Sequence, residues 1–327
     1  MKERLATITG AATAIAMVTL AVFTAGPASA GTAPVTKTRF AAHFDLAQGQ
    51  MPENIALEPD GTAYVTFAAS RQVAAVTPAG KTRVLATMPV PADGGVHTPV
   101  LGFALTTGIA RAHDGALYFL YASGTEDLTG LWRLRPGGTP HRIAALPAGG
   151  LPNGLALDER RGLLYIADSV LGTIFTVPAA GGEPATWSSA AELAPTGFLG
   201  ANGLKIHDCA LWVTNLDKGT VLRIPFGPGN RPGPVRTRAT NLAGIDDFAF
   251  TGDGDGDGDE ILAALNAPNT VVRIRGNGTV STVLTAADGL QNPTSVALRR
   301  GTAYVPSAAY TTATDPNLLL APVPHNR

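Results

Sequence analysis

Six times along this chain one short pattern returns: a turn, a short apolar strand, a polar hairpin turn, and a second strand rich in aromatic and β-branched residues. It is plainest in LPNGLALDERRGLLYIADSVLGTIFTVP, Leu151 to Pro178, where a third strand follows. The copies begin PENIAL at Pro52, TTGIAR at Thr106, PNGLAL at Pro152, ANGLKI at Ala201, IDDFAF at Ile245 and PTSVAL at Pro293. Their apolar anchors, Ile55, Ile109, Leu155, Leu204, Phe248 and Val296, lie about 44 to 54 residues apart, which suits one four-stranded blade per repeat. The expected fold is therefore all-β, a six-bladed β-propeller, and the repeats span residues 31–327 as one domain.

A propeller must close on itself. The last repeat has strands at Ser295 to Leu298, Thr302 to Pro306 and Asn317 to Pro322, and lacks a fourth. The segment KTRFAAHF, Lys37 to Phe44, echoes KTRVLATM, Lys81 to Met88, the last strand of the first repeat. It is expected to supply the missing strand, so that no sheet edge stays open between the first and last blades. The second strands carry Tyr64, Tyr118, Tyr165, Trp212 and Tyr304 at one fixed place, with Leu262 in the fifth repeat, and these read as packing between blades.

Met1 to Ala30 has Lys2 and Arg4 at its start, an apolar run through Leu20 to Phe23, and Ala28-Ser29-Ala30 as a small-x-small cleavage pattern. Export through the general secretory route, with cleavage after Ala30, is the expectation, and the mature protein is expected to be extracellular. No later stretch approaches the roughly 20 apolar residues that cross a bilayer. Cys209 is the single cysteine, which excludes an intrachain disulfide and a thiolate metal cluster. With 24 basic against 25 acidic residues and no basic block, nucleic acid and membrane surfaces are poor partners, and a monomer is expected.

One position of the repeat is chemically unlike the rest. Two residues before each anchor stand Glu53, Thr107, Asn153, Asn202, Asp246 and Thr294, an all-oxygen series with two carboxylates and two carboxamides. In a ring of blades these side chains meet around one axis, where like charges are costly unless a cation sits between them. Glu53, Asn153, Asn202 and Asp246 are thus candidate ligands of one divalent ion. Oxygen donors suit calcium first, then magnesium or manganese, and leave zinc compatible though not favoured. The bland alternative is that Asn153 and Asn202, each followed by glycine, cap turns, and that Glu53 pairs with a polar neighbour.

Strand alternation puts the hairpin turns, with His113 and His207, on the face opposite the ring. The run Asp253 to Glu260 opens like a calcium loop, but Ala264 stands where the twelfth-position glutamate belongs, so a solvated acidic hairpin is the plainer reading. On the ring's own face, loops carry Glu126, Asp127, Asp168, Ser169, Asn215, Asp217 and Asn266, together with Asp93, His97 and Phe198. His97 is the one histidine placed to reach the axis.

PNGLALD and LYIADS in the third repeat, ANGLKI in the fourth and the Asp of IDDFAF in the fifth resemble the family of regucalcin (senescence marker protein), gluconolactonases and the luciferin-regenerating enzyme. These are six-bladed propellers, more distantly related to the diisopropyl fluorophosphatases and paraoxonases. The resemblance implies a divalent ion held by a first-blade Glu, middle-blade Asn residues and a fifth-blade Asp, which fall on Glu53, Asn153, Asn202 and Asp246. The fifth motif departs from the usual Pro-Asp-Gly-Leu, so Asp247 is an alternative to Asp246, and a substrate-orienting arginine has no counterpart.

The implied activity is metal-assisted hydrolysis of a small-molecule lactone or ester, with Asp246 accepting a proton from water and His97 an outside candidate for base. Two other readings stay open. One is a non-catalytic extracellular propeller of the NHL type that binds a glycan, peptide or small ligand. The other, which the Asn/Asn/Asp register disfavours, is a bond-forming enzyme resembling strictosidine synthase.

Overall fold

The computed structural model describes residues 37–95, 97–252 and 260–323. The segment expected to direct export, with its expected cleavage after Ala30, and residues 253–259 of the acidic run lie outside the described residues. The described chain forms six four-stranded antiparallel sheets. Five take their strands in simple chain order, with inner strands at Pro52–Leu57, Leu105–Arg111, Pro152–Asp158, Ala201–His207 and Ile245–Phe250. The sixth combines Ala297–Arg299, Thr302–Ser307 and Asn317–Pro322 with Arg39–His43 from the start of the described chain. Arg39 pairs with Leu320 and His43 with Asn317, so the expected closure is the one observed. Phe44 follows that strand into the core and meets Phe67 of blade 1 edge-on at 4.8 Å.

The core is a set of seams between neighbouring blades. Tyr118 packs between blades 2 and 3, Tyr165 between 3 and 4, Trp212 between 4 and 5, Leu262 between 5 and 6, and Tyr304 between 6 and 1. Half-buried Tyr64 joins the seam of blades 1 and 2. Every member of the aromatic column is thus packing, as its fixed place in the repeat required. Burying such rings gives each seam most of its hydrophobic area, which blades too thin for cores of their own need.

Hydrogen bonds at the inner ends of the blades tie the seams into a closed circuit. Thr66 Oγ1 donates to the carbonyl of Thr107 at 2.6 Å, Thr107 Oγ1 to Pro152 at 2.8 Å, and Ser169 Oγ to Ala201 at 2.7 Å. Thr214 Oγ1 donates to the carbonyl of Asp246 at 2.5 Å, the Asp247 N–H to Thr294 at 3.1 Å, and Thr294 Oγ1 to Pro52 at 2.9 Å. At least one bond therefore crosses each of the blade boundaries at the level of the oxygen-rich ring.

Candidate functional site

In blades 1 to 5 the pairing of first and second strands slips at the ring position, between Pro52 and Asn54, Thr106 and Ile109, Pro152 and Leu155, Ala201 and Leu204, and Ile245 and Phe248. Such bulges break strict side-chain alternation and re-aim residues. Consecutive side chains can then turn inward, and Asp246 and Asp247 are both buried, at 7% and 2% exposure.

The glycines after Thr107, Asn153 and Asn202 have a steric reason. A Cβ on Gly108 would lie 2.4 Å from the Asn153 carbonyl oxygen, and one on Gly154 only 1.9 Å from that of Asn202. On Gly203 it would meet Asp247 Oδ1 at 2.5 Å. Adjacent inner strands approach too closely for any side chain, so Asn-Gly here marks close backbone approach rather than a capped turn. In the other blades the same column holds Asn54, Asp247 and Ser295, which bond one another: Asn54 Nδ2 donates to Asp247 Oδ2 at 3.1 Å and Ser295 Oγ at 2.9 Å.

The six ring residues divide by function. Thr107 and Thr294 spend their hydroxyls on the interblade circuit. Glu53, Asn153, Asn202 and Asp246 are all buried and face the axis by repeat position. Asn202 Nδ2 donates to Asp246 Oδ1 at 3.0 Å, and Tyr310 OH donates to Glu53 Oε2 at 2.5 Å. Among the described residues no hydrogen bond reaches the Asn153 carboxamide, Asn202 Oδ1, Glu53 Oε1 or Asp246 Oδ2.

Burial pushes the Glu53 carboxyl up to about 7; Tyr310's hydrogen bond opposes the rise and the charge of Asp247 adds to it. Asp246 is raised well above the usual carboxylate range, first by burial, then by the charges of Glu53 and Asp247, while Asn202 and Lys205 oppose. Burial, then the charge and hydrogen bond of Glu53 and the charge of Asp246, hold the Tyr310 hydroxyl well above its ordinary value. Lys205 Nζ lies 2.6 Å from both oxygens of Asp247. Asp247 is therefore saturated by a lysine, an amide and a hydroxyl, whereas Asp246 keeps an oxygen without a partner. No group of three or more His, Cys, Asp and Glu side chains converges among the described residues, so an axial ion would draw on the carboxamides as well.

Residues on the ring face are mostly braces. His97 Nε2 is 2.9 Å from Asp93 Oδ2 of its own loop, and no contact joins it to Glu53 or Asp246. Asp168 accepts from the N–H groups of Leu151, Val170 and Leu171, and Asp217 from those of Thr196, Gly197, Phe198 and Leu199. Asn215 and Asn266 donate to loop carbonyls. On the opposite face, His207 stacks on Phe250 with centroids 3.9 Å apart.

Sequence reasoning missed Tyr310 and Lys205. Tyr310 sits in the loop after Thr302–Ser307, residues 308–316, which is longer than the second-to-third-strand loop of any other repeat, so no register announced it. Lys205 did leave a signal: the residue after each anchor is alanine in every other repeat, Ala56, Ala110, Ala156, Ala249 and Ala297.

No protein-family model matches the chain, and no curated protein matches it by sequence. Solved structures do. A gluconolactonase from Xanthomonas campestris is 16% identical with a TM-score of 0.61, covering 85% of this chain and 87% of its own. A calcium-binding protein, regucalcin, from Agrobacterium tumefaciens is 18% identical with a TM-score of 0.60, covering 86% and 93%. A luciferin-regenerating enzyme is 13% identical with a TM-score of 0.60, covering 88% and 95%. What they share with this chain is the fold. The propellers the sequence resembles are thus among those its structure matches, while chemistry must be argued from the site itself.

Proposed function

We propose that this chain is a divalent-metal-dependent hydrolase of small lactones or esters, with calcium as the favoured ion at the axis. The observation that carries the reading is the pair Glu53 and Asp246. Both are buried, the charge of Glu53 adds to burial in raising Asp246, and among the described residues no ammonium or guanidinium contacts either. Two buried carboxylates with open oxygens, beside two carboxamides with open oxygens, make a hard donor set that fits a divalent cation. Glu53, Asn153, Asn202 and Asp246 would hold it.

When bound, the cation supplies charge stabilisation at a carbonyl oxygen under attack. The chain's own groups do the rest. Asp246 Oδ2 accepts a proton from the attacking water, and Asn202 holds the carboxylate in place. Tyr310 fixes Glu53 from above. Asp247, neutralised by Lys205, stays out of the donor set. His97 is a base only if its loop releases Asp93. The neighbours named as a gluconolactonase and a calcium-binding regucalcin support this reading at low identity. The mature form in this reading is exported and cleaved after Ala30.

A binding propeller without catalysis is the second reading, favoured by the rim, where Asp168, Asp217, Asn215 and Asn266 bond loop backbone. The two separate in one experiment. The thermal midpoint of residues 31–327 is measured in chelator and in excess calcium, for wild type and Glu53→Gln/Asp246→Asn, beside a lactone and ester panel. A ligand at about 100 times its dissociation constant adds roughly 2.7 kcal/mol. A calcium-dependent rise and turnover, both lost in the double variant, support the hydrolase. A rise without turnover moves the protein to the binding class, and no rise at all removes the axial ion.

A further inference from the structure

On the ring face, directly over the axial side chains, one apolar cluster draws residues from blades 1, 2, 3, 4 and 6. Its half-buried members include Met51, Leu101, Phe103, Val170, Leu216 and Tyr310, laid over buried Leu151 and Leu199. Met51, Leu105, Leu151 and Leu199 stand at or just before the starts of inner strands, and Tyr310 bonds Glu53, so the cluster is a collar around the mouth of the ring. Tyr310 belongs to both layers: its ring packs in the collar and its hydroxyl donates to Glu53. Val100, Leu171 and Phe198, exposed at 55%, 43% and 44%, each adjoin a collar residue in sequence and carry the apolar surface outward.

Several of the polar groups that share this face are already engaged within the protein, while Glu126 and Asp127 stand exposed in a blade 2 loop. Asp217 is occupied by backbone N–H groups and His97 by Asp93, while Asp168 takes three N–H groups on Oδ1 and has its Oδ2 buried away from the surface. A site with a few buried oxygen groups at its base and hydrocarbon walls binds a ligand with one polar end and an apolar body. A polyhydroxylated ligand would instead leave several hydroxyls desolvated without partners.

We propose that the axial site takes esters or lactones bearing a hydrocarbon chain, which the collar of Met51, Leu101, Phe103, Val170 and Leu216 receives while the carbonyl faces Asp246. This rests on the hydrolase reading for its chemistry. Water adds through oxygen to the carbonyl carbon, the bond from that carbon to the alkoxy oxygen breaks, and the proton taken by Asp246 passes to the leaving alkoxide. Nothing is oxidised or reduced.

The test uses calcium-loaded residues 31–327 and two parallel series, alkyl-substituted lactones for turnover and the matching lactams, which resist hydrolysis, for calorimetric binding. Tails run from ethyl to octyl, with a polyhydroxylated lactone and lactam as comparison. Each methylene that enters the collar is expected to strengthen binding about threefold to fourfold. Leu171→Ser with Phe198→Ser, on the exposed margin where folding is least at risk, and Phe103→Ser deeper in, should each flatten the series. Lactam binding that grows with tail length but brings no turnover keeps the collar and sinks the hydrolase. Turnover with a flat series, equal preference for the polyhydroxylated compounds, or no lactam binding overturns the proposal.

Discussion

Lys205 Nζ sits 2.6 Å from both carboxylate oxygens of Asp247, and each residue breaks the pattern of its own repeat position. Lys205 stands in a column of alanines, and Asp247 is the one acid in a column of Gly108, Gly154, Gly203, Asn54 and Ser295. Asp247 is 3% exposed and the lysine 29%, so the pair is largely removed from water. The ammonium also lies 5.6 Å from the Phe248 ring centroid. Its effect is to neutralise one of three neighbouring acids, leaving Asp246 and Glu53 without a cationic partner among the described residues.

Removing the lysine alone strands a buried carboxylate. Lys205→Ala should cost about 3 kcal/mol of stability, the range for breaking a buried pair from one side. Lys205→Ala with Asp247→Gly restores the commonest residue at both positions and should cost clearly less than the sum of the singles. Urea denaturation of all four proteins in a double-mutant cycle checks this. Additive losses would mean that the two side chains do not depend on each other.

Metal-free protein should lose stability as pH rises. Glu53 titrates near 4.5 in the unfolded chain and about 7 in the folded one, so the folded state binds its proton more tightly. The stability this group contributes is fully present below pH 4.5 and is lost as pH climbs through about 7, by roughly 3 kcal/mol at most. Asp246, raised in the same sense, adds to the slope. Glu53→Gln should flatten it. Denaturation midpoints in chelator, measured from about pH 5 to pH 8, decide the matter; a wild-type slope rising with pH would contradict the placement of these carboxyls.

Gly154→Ala should destabilise by about 3 kcal/mol or more, because its Cβ would lie 1.9 Å from the Asn202 carbonyl oxygen, a backbone atom that cannot step aside. Gly149→Ala, with nothing within 4 Å of the added carbon, should stay within about 0.5 kcal/mol of wild type. Thermal midpoints of the two variants, compared side by side, check the steric account of the Asn-Gly pairs.

A chain that begins at Asp45 lacks Arg39–His43 and leaves the Asn317–Pro322 strand as an uncovered edge. It should aggregate at temperatures where the longer chain is monodisperse, since an unpaired apolar strand templates association. Light scattering during a thermal ramp measures this. Equal behaviour of the two chains would mean that closure contributes little.

The repeat carried most of the fold. A fixed spacing of apolar anchors, an aromatic at a constant place in each second strand and an incomplete last repeat are all local facts, and together they dictate six sheets, their seams and their closure. They also placed Glu53, Asn153, Asn202 and Asp246 at equivalent positions, because equal register in a ring means equal distance from the axis. What the linear chain could not decide was how neighbouring groups divide the available hydrogen bonds. Asp246 and Asp247 are adjacent in sequence and chemically identical. Only the bulge that turns both inward, and the Lys205 amine arriving from the next blade, leave one saturated and the other open. Asp168 and Asp217 look like ligand groups in sequence, yet each accepts several backbone N–H groups brought to it by loop folding. Tyr310 reaches Glu53 across 257 residues from the lengthened loop of the last repeat. Register is written in sequence, whereas partner choice among buried polar groups depends on distances that exist only once the ring has closed.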